Sequence, residues 1–331
     1  MQKDLIIFSL RSGRYNLGAT MFQETRIVFL YCVSPVHMGT GTAVGGLIDN
    51  PIQRERHTDY PMMAGSGIKG AIRHDYWAQG EVNRNLLGRL FGPDQSAAEH
   101  AGAISFGDGQ LIAFPVRCAK AGFVYATSPL LLARLKRSLA LTNIEADWTI
   151  PSVESGTCRL QNPDLLTSDK LALEAYELDG KLDADRSIGL IAEWLSQHAL
   201  PSTADYDYFR NKVKTDLVVL SDDELHYFVV NSTVVEPHVK IDDVSGTADG
   251  GALFYTENLP PESLLFTVLM ASQERYKRGD SADNRLSAKQ IVETLVSGNE
   301  HWKPLQNRMV QFGGDATTGR GQIVCSIVGG Q

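Results

Sequence analysis

An irregular segment, residues 34–64, separates an apolar strand from a helix near the start of the chain. The stretch before it, 26–33, reads RIVFLYCV, a continuous apolar run typical of a buried strand. After it, residues 68–77 place apolar side chains at helical spacing, and Ser66 is the expected cap of that helix. Segments this long without secondary structure of their own are uncommon in compact domains, and are usually functional or disordered. We therefore predict that residues 34–64 form a functional segment on an ordered core.

The remaining sequence mixes strand and helix patterns. Gly107-Asp108-Gly109 is a turn signal between the apolar runs 103–106 and 111–115, which predicts a β-hairpin. Further patterns predict helices over 128–141, 188–198 and 288–297, and strands over 233–241, 251–256, 264–271 and 323–328. Strands distant in sequence must then pair with one another, so the predicted fold class is α+β.

The predicted organisation is one elaborated domain over residues 21–331. Residues 1–20 hold one short apolar run and a basic turn, and we predict that they form an N-terminal extension of unknown role. Residues 147–187 are weakly patterned and are expected to form a peripheral insertion. Residues 233–256 are predicted to form two strands around a polar tip rich in Asp and Gly.

The charge balance limits the ways in which the chain can bind nucleic acid. Its 331 residues hold 31 Lys and Arg against 39 Asp and Glu, a formal net charge of −8. That balance argues against a protein that coats nucleic acid by global positive charge. A local basic track stays compatible with it, because phosphate contacts depend on nearby cations.

The four cysteines lie far apart in the sequence, at Cys32, Cys118, Cys158 and Cys325. No CxxC spacing is present, so neither a zinc knuckle nor a redox motif is supported, and lone thiols fit a reducing cytoplasm. The apolar run 5–10 is too short for a signal peptide or a membrane span. We expect a cytoplasmic protein without a membrane association.

The glycine-rich segment 34–59 supplies candidate chemical groups, SPVHMGTGTAVGGLIDNPIQRERHTD. Its Asp49 lies among glycines with Gln53, Arg54 and Arg56 close behind it, an arrangement suited to a phosphodiester. Arginine forks match phosphate oxygens, and a carboxylate can hold a divalent metal or accept a proton. The alternative is that Asp49 only closes a turn before Asn50-Pro51. His37, likewise, is either a reactive group or a hydrogen-bonded loop residue.

Three other segments are candidate contacts for an anion or a nucleic-acid backbone, each with a structural alternative. The sequence GSGIKGAIR lacks P-loop spacing, yet it opens a helix with Lys69 and Arg73 on one face, either at an anion or in solvent. The closing sequence FGGDATTGRGQ is a flexible basic loop or a tight turn. The strand 233–241 carries two basic side chains and is either plain sheet or a wedge between stacked bases. The candidate residues of these last two segments are Gly313, Gly314, Arg320, Gly321, His238 and Lys240.

Together these segments resemble a known family. HMGTGTAVGGLIDNPIQRERHTDYPMMAGSGIKGAIR, GGALFYTENLPP and FGGDATTGRGQ are similar to the backbone nuclease subunit, the fourth subunit, of type III-B CRISPR (Cmr) effector complexes, within the RAMP superfamily. The resemblance runs from about Ile27 to the C-terminus, and residues 49–55 are its most specific part. It implies a ferredoxin-like, RRM-type palm with insertions and a projecting β-hairpin thumb, for which residues 233–256 are the candidate.

The resemblance also implies an activity and a set of partners. Copies of the subunit stack head-to-tail along the guide crRNA with other Cmr subunits, and cut the complementary target RNA with a divalent metal, Mg²⁺ or Mn²⁺. By position in the motif, Asp49 is implied as the catalytic and metal-binding residue. His37 and Glu257 are implied as further catalytic residues. A 2′-OH held in line with phosphorus would be the nucleophile.

Three alternatives stay open at the level of sequence. One is a non-catalytic RNA-binding protomer, and another is a guide-processing endoribonuclease of the same superfamily. The third is a nucleotide-dependent enzyme, which the missing P-loop and Rossmann spacings disfavour, so no nucleotide cofactor is expected.

Overall fold

A computed structural model describes residues 21–41, 46–79, 84–93, 101–248, 253–275 and 285–329. The predicted N-terminal extension, residues 1–20, lies outside this part of the chain. The strands are β1 (Glu24–Cys32), β2 (Met62–Met63), β3 (Ile104–Phe106), β4 (Gly109–Cys118), β5 (Gly122–Thr127), β6 (Thr157–Leu160), β7 (Lys170–Leu173), β8 (Tyr176–Leu182), β9 (Leu217–Leu220), β10 (Val234–His238), β11 (Phe254–Asn258), β12 (Leu264–Ala271), β13 (Arg308–Gln311) and β14 (Gln322–Val328). The helices are α1 (Gly65–Trp77), α2 (Arg84–Phe91), α3 (Pro129–Leu141), α4 (Ser187–His198), α5 (Asp207–Asp216), α6 (Asp222–Asn231) and α7 (Ala288–Ser297).

The strand β1 lies inside an antiparallel sheet and pairs with β12 on one side and β14 on the other. Its apolar run is buried on both faces, because alternate side chains enter two different cores. Val28 and Leu30 join a core that also holds apolar residues of α1 and α7. Ile27 and Phe29 join a second core that holds apolar residues of α3, α4 and α5. The sheet is therefore the middle of three layers, and the predicted α+β class is confirmed.

A second part of the sheet closes on itself. From β4 the order runs β5, β9, β6, β8 and β7, and β7 returns to β4 through the pair Cys118–Leu173. Three of these strands belong to residues 147–187, the weakly patterned segment that we expected to form a peripheral insertion. That expectation is corrected by the packing, because Cys158, Leu160 and Leu171 are fully buried in the larger core. Whether the segment is an insertion within its family stays a prediction.

The Gly107-Asp108-Gly109 signal does not form the predicted hairpin. Both β3 and β4 pair with the same strand, β12, one after the other along its length. The glycines interrupt a single strand line, where the Gly107 amide donates to the Val268 carbonyl at 2.9 Å. The same residue types suit a turn and a break in a strand, so the local sequence cannot separate these two structures.

The first helix also begins differently from the prediction. Its N-cap is Ala64, and Ser66 lies inside the first turn. Asp108 replaces the expected serine cap, since its carboxylate accepts a hydrogen bond from the Gly65 amide at 2.8 Å. Gly65 is required there because a Cβ would come within 2.4 Å of the Phe106 carbonyl oxygen.

The other main elements agree with the sequence. The predicted helices are α3, α4 and α7, and the predicted strands near the C-terminus are β12 and β14. The strands expected within 233–256 are confirmed as β10 and β11, which pair antiparallel as a separate two-stranded sheet. The ferredoxin-like palm and a thumb function for this pair stay predictions. No helix in the described part of the chain is both long and apolar enough to cross a lipid bilayer.

Candidate functional site

Asp49 lies against β11, at the base of the two-stranded sheet. Its amide and the Asn50 amide donate to the Tyr255 carbonyl at 3.1 and 3.0 Å. In return, the Tyr255 amide donates to the Asp49 carboxylate at 2.7 Å. The Asp49 side chain is nevertheless exposed. The structure therefore holds this carboxylate in a fixed place while leaving it open to a ligand.

Glu257, two residues further along β11, has a different environment. Its side chain is buried, and Arg54 donates to one carboxylate oxygen at 2.5 Å. Thr233 donates to the same oxygen at 2.8 Å, and the Ile52 amide donates to the other oxygen at 3.1 Å. Two of these donors come from the segment that carries Asp49. Glu257 thus connects that segment to the pair of strands β10 and β11, called the hairpin below. Both of its carboxylate oxygens accept hydrogen bonds from the protein.

His37 joins the same group of residues through the main chain of Glu257. Its Nδ1 lies 2.7 Å from the Glu257 carbonyl oxygen. A carbonyl oxygen only accepts, so Nδ1 carries the hydrogen, and in the neutral ring Nε2 is left as the acceptor. The ring is partly exposed. This tautomer gives His37 a nitrogen that can accept a proton.

The glycines of the closing loop pack directly on the His37 backbone. The Gly314 amide donates to the His37 carbonyl at 3.0 Å. Gly313 has φ +71°, and a Cβ there would lie 2.2 Å from the same carbonyl oxygen. Gly321 has φ +81°, and a Cβ there would meet the Phe312 carbonyl at 2.0 Å. Only glycine fits these two positions without a shift of the backbone.

Arg320 lies at the end of this loop and contacts the hairpin. Its guanidinium forms an ion pair with Glu236 on β10, with two nitrogen–oxygen distances of 2.7 Å. The predicted RNA contact of Arg320 would therefore compete with a carboxylate of the protein. Together with the preceding contacts, the structure brings His37, Asp49, Glu257, Gly313, Gly314, Arg320 and Gly321 to the base of one hairpin.

Two residues predicted to contact RNA are used by the protein itself. The Gln53 side chain donates to the Gly39 carbonyl at 3.1 Å and accepts from the Ala64 amide at 2.8 Å. Arg54 donates to Glu257 and to the carbonyls of Asp59 and Val229. Both side chains hold the segment in shape. Arg56, in contrast, is exposed and remains a candidate RNA contact.

A basic cluster lies on α1. Lys69 is half-buried, and its pKa is lowered first by burial and then by the neighbouring charges of Arg73 and Arg275. Lys69 and Arg73 were predicted to share one face of the helix, and the effect of the Arg73 charge on the pKa of Lys69 agrees with that prediction. Arg275 follows β12 and was missed, because nothing in its local sequence indicates where that strand ends relative to α1. Three nearby cations favour an anionic ligand.

The hairpin carries basic and apolar side chains beyond its base. The His238 ring stacks on Phe254 with a centroid distance of 5.1 Å. Lys240, two positions further along the chain, is exposed. Large apolar side chains are exposed on the same hairpin, at Val235, Val239, Ile241, Val244, Leu253 and Phe254. An exposed apolar surface of this kind commonly marks an interaction site.

The donor set at Asp49 bears on the predicted divalent metal. Across the described ranges, no group of three His, Cys, Asp or Glu side chains is arranged to hold a metal ion. Magnesium, however, is commonly held by one or two carboxylates together with substrate phosphates. The exposed Asp49 carboxylate fits that mode of binding. Glu257 fits it poorly, because its carboxylate is buried and paired with Arg54.

The class of protein follows from comparison with known families. The sequence profile described as the RAMP superfamily matches residues 29–324, so the chain belongs to the RAMP superfamily. Within it, the chain is 29% identical over 303 residues to the CRISPR system Cmr endoribonuclease Cmr4 of Pyrococcus furiosus, covering 91% of this chain and 95% of the relative. It is 24% identical over 266 residues to the CRISPR system CMR subunit Cmr4 of Saccharolobus solfataricus, covering 76% and 86%.

Solved structures show the same fold. Oligomeric Cmr4 from Pyrococcus furiosus, solved by crystallography, superposes with a TM-score of 0.70 at 23% identity, over 93% of this chain and 99% of that chain. A chain of the type III-B Cmr-beta complex bound to cognate target RNA, solved by cryo-electron microscopy, gives a TM-score of 0.67 at 19% identity, over 93% and 98%. At these identities the similarity establishes the fold alone.

Proposed function

We propose that this chain is a backbone subunit of a type III-B CRISPR effector complex, that it binds guide and target RNA, and that it cleaves the target RNA at Asp49. The proposal draws on the Cmr4 relatives, one of which is described as an endoribonuclease. It also draws on the arrangement at the base of the hairpin. There β11 binds both a fixed, exposed carboxylate and a partly exposed histidine, and a glycine-rich loop packs on the backbone of that histidine.

The chemistry proposed for this site uses the nucleophile that RNA carries. A 2′-OH attacks the adjacent phosphorus, the bond to the 5′ oxygen of the next nucleotide breaks, and a cyclic phosphate and a 5′-hydroxyl remain. Asp49 orients the reacting linkage, and its carboxylate or the Nε2 of His37 accepts the proton of the 2′-OH. The departing 5′ oxygen takes up one proton from water, which yields the 5′-hydroxyl. A divalent metal held by Asp49 and RNA would supply charge neutralisation at the phosphate.

The hairpin has a separate role in the proposal. Its exposed apolar side chains separate stacked bases of the guide–target duplex, so that the nucleotide beside Asp49 leaves A-form geometry. The basic cluster of Lys69, Arg73 and Arg275 holds the RNA backbone. Further copies of the chain bind head-to-tail along the guide, and other Cmr subunits complete the complex. The size of the protein measured with and without guide RNA tests this assembly, since a monomer in both conditions contradicts it.

The observation that carries the proposal is the combination of exposure and fixation at Asp49. The test is the Asp49→Asn variant in a complex assembled on guide RNA. Asparagine keeps an oxygen that can accept from the Tyr255 amide, so the loop is expected to stay in place while the charge is lost. Single-turnover cleavage of labelled target RNA should fall by about 100-fold or more. Target binding should stay unchanged.

A matched control is Asp147→Asn, which removes an exposed carboxylate on a connection before β6. This control should assemble, bind and cleave as the original chain does. Full-rate cleavage by the Asp49→Asn complex would overturn the proposed function. It would favour the alternative of a non-catalytic protomer. Cleavage of precursor guide transcripts by the isolated chain would instead favour a guide-processing enzyme.

A further inference from the structure

We infer that Glu257 is a positioning residue that joins the Asp49 segment to the hairpin and orients Asp49 and His37 from one point on β11. The inference rests on the proposed function and deepens it. It also revises the catalytic role that the family resemblance implied for Glu257.

The first step of the argument is the carboxylate of Glu257. It is 3% exposed, and it accepts from the Arg54 guanidinium, the Thr233 hydroxyl and the Ile52 amide. A buried carboxylate paired in this way cannot take a metal or an RNA proton unless the pair with Arg54 breaks, and such a break leaves a partly buried cation without its carboxylate. Its side chain is therefore suited to hold its neighbours in place and poorly suited to the reaction.

The second step is the main chain of the same residue. The Glu257 amide donates to the Asn50 carbonyl at 2.9 Å, and the Glu257 carbonyl accepts from His37 Nδ1 at 2.7 Å. One residue thus contacts the neighbour of Asp49 on one side and fixes the tautomer of His37 on the other. The two candidate reactive groups are oriented by the same point on β11.

The third step is the connection to the hairpin. Glu257 lies on β11, and Thr233 directly precedes β10, so the Thr233–Glu257 hydrogen bond ties the beginning of one strand to the end of the other. Tyr255, between the tip and Glu257, binds Asp49 through its backbone. A movement of the hairpin base would therefore move Asp49 with it.

The test compares Glu257→Gln and the double variant Arg54→Gln/Glu257→Gln in complexes assembled on guide RNA. The single variant leaves the Arg54 charge unpaired, and the single-turnover rate should fall by about 10- to 100-fold with unchanged target affinity. The double variant removes both charges, and we expect its single-turnover rate to be about tenfold higher than that of the single variant. The metal concentration at half-maximal rate should be the same in all three proteins.

Thr233→Val is a milder second probe, because it removes one neutral donor and keeps the ion pair. We expect a loss of rate of a few-fold, as well as secondary cuts one nucleotide away from the main position. It keeps the inference testable where Glu257→Gln does not assemble. Asp216→Asn is the matched structural control, since it breaks the buried Lys212–Asp216 pair elsewhere in the fold. Its stability should fall while its rate per assembled complex stays the same.

Two outcomes would overturn the inference. One is a Glu257→Gln complex that needs more metal and is not rescued by Arg54→Gln, which would make Glu257 a ligand. The other is a Glu257→Gln or Thr233→Val complex that cuts at the original rate and position. Both differ from failure of the proposed function, in which Asp49→Asn itself retains cleavage.

Discussion

The Tyr255 amide donates a hydrogen bond to the Asp49 carboxylate across 2.7 Å, between residues 206 positions apart in the sequence. Tyr255 contributes only its backbone to this contact, so its residue type gives no signal of it. The contact ties the Asp49 loop to β11. Whether the same carboxylate also acts on RNA stays a prediction.

The basic cluster on α1 leads to a prediction about RNA affinity. Lys69→Gln removes one of three neighbouring cations, so binding of guide RNA should weaken for every guide sequence, and the slope of log affinity against log salt should fall by about 1. Fluorescence anisotropy over a range of salt concentrations measures both quantities. Lys289→Gln, an exposed lysine on α7, is the matched control and should leave the slope unchanged. Equal slopes for Lys69→Gln and the original chain would place the RNA elsewhere.

The Arg320–Glu236 ion pair leads to a prediction about coupling between the closing loop and the hairpin. About a quarter of each side chain is exposed, and two guanidinium nitrogens of Arg320 contact the Glu236 carboxylate. The pair should therefore stabilise the fold more than a fully exposed ion pair does. A double-mutant cycle of Arg320→Gln and Glu236→Gln, followed by urea unfolding, should give a coupling free energy of about 1 kcal/mol. The exposed Lys289–Glu293 pair is the control, with an expected coupling of at most about 0.5 kcal/mol. Additive effects at Arg320 and Glu236 would contradict the observed contact.

Much of the secondary structure could be predicted from the pattern of apolar residues within each helix or strand. The strand β1 follows from a continuous apolar run, and the helices α3, α4 and α7 and the paired strands of the hairpin follow from the spacing of their apolar residues. The break at Gly107 did not, because the same residues suit a turn and an interrupted strand. The three strands within 147–187 were missed because they are short and lie mostly between charged residues.

For the candidate site, the sequence indicates which residues to group together better than it indicates what each side chain contacts. The sequence indicates that Asp49, His37 and the closing glycines belong to one functional group, partly through family resemblance. It does not indicate that Arg54 forms an ion pair with Glu257, since these residues are 203 positions apart and meet only in the folded chain. Arginine near a phosphate and arginine in a buried ion pair have the same sequence signature. Only the fold separates these two roles.

Glu262 leads to a prediction about pH and stability. Burial raises the pKa of its carboxyl group from 4.5 to about 7. Between these two values the folded protein holds a proton that the unfolded chain has released, so the free energy of unfolding falls as pH rises from about 4.5 to 7. Glu262→Gln cannot ionise, and at pH 8 it should be more stable than the original chain by on the order of 2 kcal/mol.

Urea unfolding at pH 8 and at pH 4 checks this sign. At pH 4 the Glu262 carboxyl group is largely protonated in both the folded and the unfolded protein, so the stability advantage of Glu262→Gln should disappear. Glu300→Gln is the control, because its side chain is 84% exposed and should show little change at either pH. A stability gain that is equal at both pH values would show that ionisation is not its cause.

The contact between Gly313 and His37 leads to a paired prediction for two glycines of the same loop. Gly313 and Gly319 have similar backbone angles, φ +71° and +81°, so alanine at either position adds strain of about 1–2 kcal/mol. They differ in their surroundings. A Cβ at Gly319 has nothing within 4 Å, whereas at Gly313 it would lie 2.2 Å from the His37 carbonyl oxygen.

Gly319→Ala should therefore lose only the strain energy and keep its cleavage rate. Gly313→Ala should lose about 3 kcal/mol of unfolding free energy, because the closing loop or the His37 backbone must move in addition. Since that movement displaces His37 from the Glu257 carbonyl, its single-turnover cleavage of target RNA should also fall. Thermal unfolding and cleavage assays on the two variants measure both effects. If the two alanine variants lose stability equally and both cleave at the original rate, the packing of the closing loop on His37 does not position the site.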